Sequence, residues 1–238
     1  MTPSYGKYFR AAALVAFLYA ALLLVSWVLL TAALGWEPYD AEVATAARLF
    51  QIYGDPTAAA ASRVETAAAV LLFPALPAFA FFLARRTPGL GWSGLALGAL
   101  ATAVSLVGCL MEGVAYSLAA GGRMPYFLAV LPPPDVILLV NLLADAVKKP
   151  AMFMMYPWFL LWGLAFLKAE GGAAKAAGIA FLGVLLCSLV TLGAFAARAA
   201  AIANAGIFMN TIFQAGAFVL AGVALWADTH GTRSVDNI

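Results

Sequence analysis

Six long stretches of this chain consist almost entirely of apolar and small residues. A helix needs about 20 such residues to cross the hydrocarbon core of a bilayer, where only helices and closed barrels satisfy every backbone amide. The stretches lack the alternation of apolar and polar residues that is typical of barrel strands. Because hydrophobic residues make up 65% of the chain, against roughly 45–50% in a soluble domain, we predict an all-α, polytopic membrane helix bundle.

We place six transmembrane helices within a single membrane domain, residues 1–238. Their predicted limits are residues 11–36, 63–86, 94–120, 151–168, 173–199 and 202–227.

Two further helices are predicted on the extracytoplasmic side, in the long connections. The first is amphipathic, begins after Asp40 as its N-cap, and lies on the membrane surface. The second, residues 135–147, is apolar but shorter than the roughly 17 residues of a span, so we expect it to be interfacial or re-entrant. The alternative is one kinked helix over residues 135–168. It would bring Lys148 and Lys149 into the membrane at a cost of about 2.5–3.5 kcal/mol each.

The distribution of charge predicts location and partners. An even number of spans places both termini on one side, and the basic pair Arg85-Arg86 in a short loop favours the cytoplasm for that side. We therefore expect a multi-pass plasma-membrane protein embedded in the lipid bilayer. A net charge of +2, with the basic residues at helix ends, does not suggest a nucleic-acid partner.

The third span carries a stripe of small residues that leads to a carboxylate. Residues three or four apart share one face of a helix, and a face of small residues lets another helix approach closely. The stripe consists of Gly94, Gly98, Ala101, Ser105 and Gly108.

Glu112 continues this stripe at roughly 12 Å below the outer end of its helix. An ionised carboxylate at that depth needs a cation or must hold its proton, and such residues mark functional sites. Tyr116 follows one turn later. We expect Arg198, at the outer end of the fifth span, to pair with Glu112 in the floor of a pocket.

Other polar residues are predicted at the same depth. Asn210 and Gln214 lie one turn apart in the sixth span and should face the bundle, either as contacts between helices or as ligand contacts. Residues at the mouth of the pocket are predicted to be Asn141, Asp145, Lys148 and Lys149.

We expect neither a cofactor nor a metal. His230 is the only histidine and lies beyond the last span, which excludes haem held by an intramembrane imidazole, and no phosphate-binding motif is present.

The sequence leaves three functions open. The first is binding or transport of a small or lipidic molecule through an outward-facing pocket. The second is a non-catalytic accessory subunit, which docks on a membrane-protein partner through its small-residue faces. The third is a lipid-modifying enzyme that uses Glu112 with the lysine pair.

Overall fold

The computed structural model describes residues 3–34, 52–120 and 133–231. Within these ranges the chain forms seven α-helices and no strand. A 3-10 turn, Phe73–Ala75, joins the second helix to the third. The helices are α1 (Pro3–Leu34), α2 (Pro56–Leu72), α3 (Leu76–Ala84), α4 (Pro88–Ala119), α5 (Pro133–Lys168), α6 (Gly172–Ala196) and α7 (Ala200–Gly231).

The predicted number of membrane-spanning helices is confirmed. Six helical segments are long and apolar enough to cross a bilayer, with α2, the 3-10 turn and α3 counting as one, and the chain is a multi-pass membrane protein. These segments are Gly6–Ala33, Pro56–Ala84, Pro88–Ala119, Asp135–Lys168, Gly172–Ala194 and Ala201–Thr229.

The second span begins seven residues before its predicted start, Arg63. Asp55 is the N-cap, and its Oδ1 accepts hydrogen bonds from the backbone N–H groups of Thr57 (2.7 Å) and Ala58 (3.0 Å). Pro56 occupies the first helical position, where its missing N–H costs nothing. Because of this cap and the alanines that follow it, residues 56–62, which were predicted to lie in a loop, are helical.

Prolines determine the local geometry of this region. Pro74 and Pro77 each remove a backbone donor, and the span changes from α to 3-10 geometry at Phe73–Ala75, between α2 and α3. Pro88 lies between the predicted second and third spans, 63–86 and 94–120, but it starts α4, again at a position that needs no N–H.

The prediction of a separate interfacial helix at residues 135–147 is wrong. The structure has the alternative, one continuous α5 of 36 residues that contains Pro150 and Pro157. The predicted cost of Lys148 in the membrane is offset by an acidic partner, described below. The other predicted surface helix, after Asp40, lies largely outside the described residues, which resume at residues 52–54 with a helical turn.

The helices pack as a closed ring in chain order. The span α2–α3 packs against α1 and α4, α5 packs against α4 and α6, and α7 packs against α6 and returns to α1. Each helix therefore lies beside its neighbours in sequence, and the contact between α1 and α7 closes the ring.

Along the helix axes the bundle has two halves, and aromatic side chains fill the space between the helices in one of them. This half, which we call the terminal half, contains the start of α1 and the end of α7. Its core includes Phe9, Phe79, Trp158, Trp162, Phe166, Phe181 and Phe218, each no more than 1% exposed. The rings of Phe181 and Phe218 meet edge to face at 5.3 Å between centroids, a favourable aromatic geometry. We call the opposite half, which contains the end of α1 at Leu34, the start of α2 at Pro56 and the end of α4 at Ala119, the loop half.

The small-residue stripe of α4 admits two of these side chains. The indole of Trp162 lies against Gly94, and that of Trp158 lies against Gly98. A Cβ built at Gly98 would lie 2.5 Å from Cε2 of Trp158, and one at Gly94 would overlap Trp162. The glycines thus let α4 and α5 approach each other across two fully buried indoles.

We predict that Gly98→Ala destabilises the protein by about 1–3 kcal/mol, because the buried indole of Trp158 cannot move aside without disturbing its neighbours. The matched control is Gly216→Ala in α7, where an added Cβ meets nothing within 4 Å. Unfolding of the purified protein in detergent micelles measures both variants. Equal stability of the two would contradict this account of the stripe.

Candidate ligand-binding site

Two adjoining cavities occupy the loop half of the ring. The first, of about 470 Å³, has aromatic residues from α1, the turn at residues 52–54 and α4 in its lining, and we call it the aromatic chamber. The second, of about 550 Å³, lies among α4, α5, α6 and α7 with Met152 and Met155 in its lining, and we call it the methionine chamber. The residues lining both chambers are Glu112, Asp145, Lys148, Ile207, Asn210 and Gln214.

An ion pair stands between the chambers. Nζ of Lys148 lies 2.7 Å from Oε1 of Glu112, and the two side chains are only 24% and 20% exposed. Each charge would be costly alone in this part of the membrane, and together they offset much of that cost. This pair explains why α5 can remain helical through the lysines.

The structure corrects the predicted partner of Glu112. Arg198 does not pair with Glu112, because α5, packed against α4, brings Lys148 to the carboxylate instead. Arg198 is exposed in the connection between α6 and α7, where its φ of 55° is in the left-handed region. It lines neither chamber.

Gly108 gives the lysine its path along α4. A Cβ built at this glycine would overlap Cγ of Lys148. The aliphatic stem of Lys148 therefore lies across Gly108, and its ammonium reaches Glu112 one turn further along α4. The last glycine of the stripe thus contributes directly to the ion pair.

Two amide side chains of α7 complete the wall between the chambers. Asn210 donates from Nδ2 to Oγ of Ser188 on α6 (2.8 Å), and Gln214 donates from Nε2 to the hydroxyl of Tyr19 on α1 (2.7 Å). Both amides therefore face the bundle, as predicted, and hydrogen bonds to the two neighbouring helices fix their positions.

A tyrosine pair lines the aromatic chamber. The rings of Tyr53 and Tyr116 meet edge to face with 4.6 Å between centroids, and the Tyr53 hydroxyl donates to Oδ1 of Asn141 at 2.5 Å. Burial, and secondarily the charge of Glu112, raises the pKa of Tyr53 above its usual range. The protonated phenol links the 52–54 turn to α5 through this hydrogen bond.

The remaining predicted mouth residues differ in their exposure. Asn141 is half-buried and lines the aromatic chamber, whereas Asp145 and Lys149 are exposed. Asp145 lines both chambers, and Lys149 lines the methionine chamber. The structure thus brings all the predicted residues of the pocket and its mouth together except Arg198.

Sequence reasoning missed Glu65. This half-buried carboxylate on α2 lines the aromatic chamber and is close enough to Lys148 to interact with it electrostatically. With a span starting at Arg63, Glu65 belongs to the membrane surface. With the actual start at Pro56, it lies roughly 14 Å along the helix, at a depth similar to that of Glu112. The Asp55-Pro56 cap was the signal that would have revealed it.

Comparison with known proteins finds no match to a family model, to a curated protein or to a solved structure. In the part of the chain that the structure describes, no group of three or more His, Cys, Asp or Glu side chains is arranged to hold a metal ion.

The ion pair predicts a specific pattern of coupling. Lys148→Met leaves Glu112 without its cation and should cost about 3–5 kcal/mol. Glu112→Gln removes the bonded carboxylate and should cost somewhat less, because Glu65 still interacts with the ammonium. The double variant removes both charges and should cost clearly less than the sum. Unfolding in micelles of the two single variants and the double variant gives the coupling energy.

The control is Glu170→Gln. Glu170 pairs with Arg86 at the terminal side, where the side chains are 79% and 54% exposed, so its loss should cost less than about 1 kcal/mol. Strictly additive effects of Glu112→Gln and Lys148→Met would show that the two charges do not depend on each other.

Gly108→Ala should displace Lys148 and destabilise the protein by about 1–3 kcal/mol. In a Lys148→Ala background the stem is absent, so the same glycine substitution should be nearly neutral. Gly113→Ala, a few residues further along α4, is the control because its Cβ meets nothing within 4 Å. An equal cost of Gly108→Ala in both backgrounds, measured by unfolding, would refute the role of Gly108 as the path of the lysine.

Proposed function

We propose that this protein binds or transports a small or lipidic molecule in the two chambers of its loop half. The ligand contacts are Glu112, Tyr116, Asn210 and Gln214, with Lys148 as the partner of Glu112. Asn141, Asp145 and Lys149 form the mouth. With both termini in the cytoplasm of a plasma-membrane protein, the chambers face outward.

The observation that carries this proposal is the convergence of polar groups on two cavities inside an otherwise apolar bundle. Ligand sites have volumes of about 300–1,000 Å³, mostly apolar walls and a few placed polar groups. The methionine chamber, at about 550 Å³, fits this description fully, whereas the aromatic chamber, at about 470 Å³, has the volume but a lining that is half polar. The shared polar residues are held by an ion pair and by hydrogen bonds, so the site is organised before a ligand enters.

The small-residue faces favour a ligand site over an accessory subunit. Docking on another membrane protein through such a face needs the glycines to be open to that partner. In this fold they are already covered from within: Gly94 and Gly98 by tryptophans, Gly108 by Lys148, and Gly206 by Thr191. The small-residue faces therefore serve packing within this bundle, and the chambers are the sites that could receive another molecule.

Filling the aromatic chamber should expel the ligand. Thr211 lines this chamber and uses its hydroxyl only within its own helix, in a bond to the carbonyl of Ile207 (3.1 Å). Thr211→Phe should therefore reduce the amount of any specifically bound molecule at least tenfold. The measurement is mass spectrometry of small molecules and lipids that co-purify with the protein in mild detergent.

The matched control is Thr31→Phe. Thr31 makes the same kind of bond, to the carbonyl of Trp27 (2.9 Å), and lines neither chamber. If the wild type carries no molecule beyond those that accompany Thr211→Phe, the proposed function fails.

A further inference from the structure

We propose that the ligand is an organic cation, with its ammonium group in the aromatic chamber. This inference rests on the proposed function and names the chemical class that the chamber recognises.

The first argument is the balance of charge. Among the described residues that line the aromatic chamber, three carboxylates stand against one ammonium. The carboxylates belong to Glu65, Glu112 and Asp145, and the ammonium to Lys148. The methionine chamber, by contrast, is balanced, since Lys149 joins its lining and Glu65 does not. The excess of negative charge is therefore a property of one chamber only.

The second argument is the position of Glu65. The ammonium of Lys148 is bonded to Glu112 and also interacts with Glu65 beyond ion-pair distance, so one cation serves two carboxylates. A half-buried carboxylate within a span is costly without a cation. A cation bound in the chamber would supply the second positive charge that these two carboxylates lack.

The third argument concerns the size of the cation. The carboxylates come from three different helices, α2, α4 and α5, and in the described residues no three acidic, histidine or cysteine side chains converge as metal ligands. A divalent metal needs several oxygen ligands within about 2.6 Å. A chamber of about 470 Å³ with dispersed acids suits a larger ion whose charge is spread over alkyl groups.

The fourth argument is the aromatic lining. Trp27, Tyr53 and Tyr116 contribute rings to the same chamber. Faces of aromatic rings attract ammonium ions, and quaternary ammonium groups are recognised by aromatic cages. Leu23, Leu30 and Ile52 add apolar surface for the carbon substituents. Acids and rings around one cavity are together the recognition chemistry of an alkylammonium ion.

The test is isothermal titration of the purified full chain in micelles with tetramethylammonium, choline and tetraethylammonium. The uncharged comparison is 3,3-dimethyl-1-butanol, which has the shape of choline. At constant ionic strength, at least one cation should bind tenfold or more tightly than the alcohol. Glu65→Gln and Trp27→Leu should each weaken that cation at least tenfold, while Glu170→Gln leaves its affinity unchanged.

Two results overturn the inference: no cation binds better than the alcohol, or both Glu65→Gln and Trp27→Leu, folded as judged by their thermal unfolding, bind the cation as the wild type does. The experiments distinguish an error in the cationic assignment from an error in the proposed function. If an uncharged molecule co-purifies with the wild type and is lost in Thr211→Phe, the chambers are a ligand site and only the cationic assignment is wrong.

Discussion

The architecture of the loop half depends on one ion pair within the membrane. The bond between Lys148 and Glu112 lets α5 run unbroken past two lysines, and it fixes α5 against α4. It also requires a glycine at position 108, since the stem of the lysine crosses that residue. Because the same two side chains line both cavities, the interaction that stabilises the helix pair also divides the interior.

The two halves of the ring have opposite packing. In the terminal half, stacked and edge-to-face rings around Phe181 and Phe218 fill the space between helices. In the loop half, the helices carry polar side chains and enclose open volume. A densely packed half holds the helix axes in place, so the other half can keep its cavities without relying on a ligand to maintain them.

The sequence predicted the class and the number of spans because apolar length alone decides whether a helix crosses a bilayer. It predicted that Glu112, Asn210 and Gln214 face the interior, since polar groups in a membrane turn away from lipid. It failed for α5, where summing the cost of two lysines ignored a partner distant in sequence. It failed for Arg198 because hydropathy does not show which residues pair across helices. It failed for Glu65 because the depth of that residue depends on where one N-cap starts the helix, which hydropathy does not show either.

The closure of the ring by α1 and α7 has a consequence for biogenesis. All other extensive contacts join spans that are consecutive in the chain, so Lys148 can meet Glu112 without waiting for α7. The bond between Tyr19 and Gln214 must wait for the final helix. Until then the hydroxyl of Tyr19 lacks the side-chain partner that it has in the complete ring.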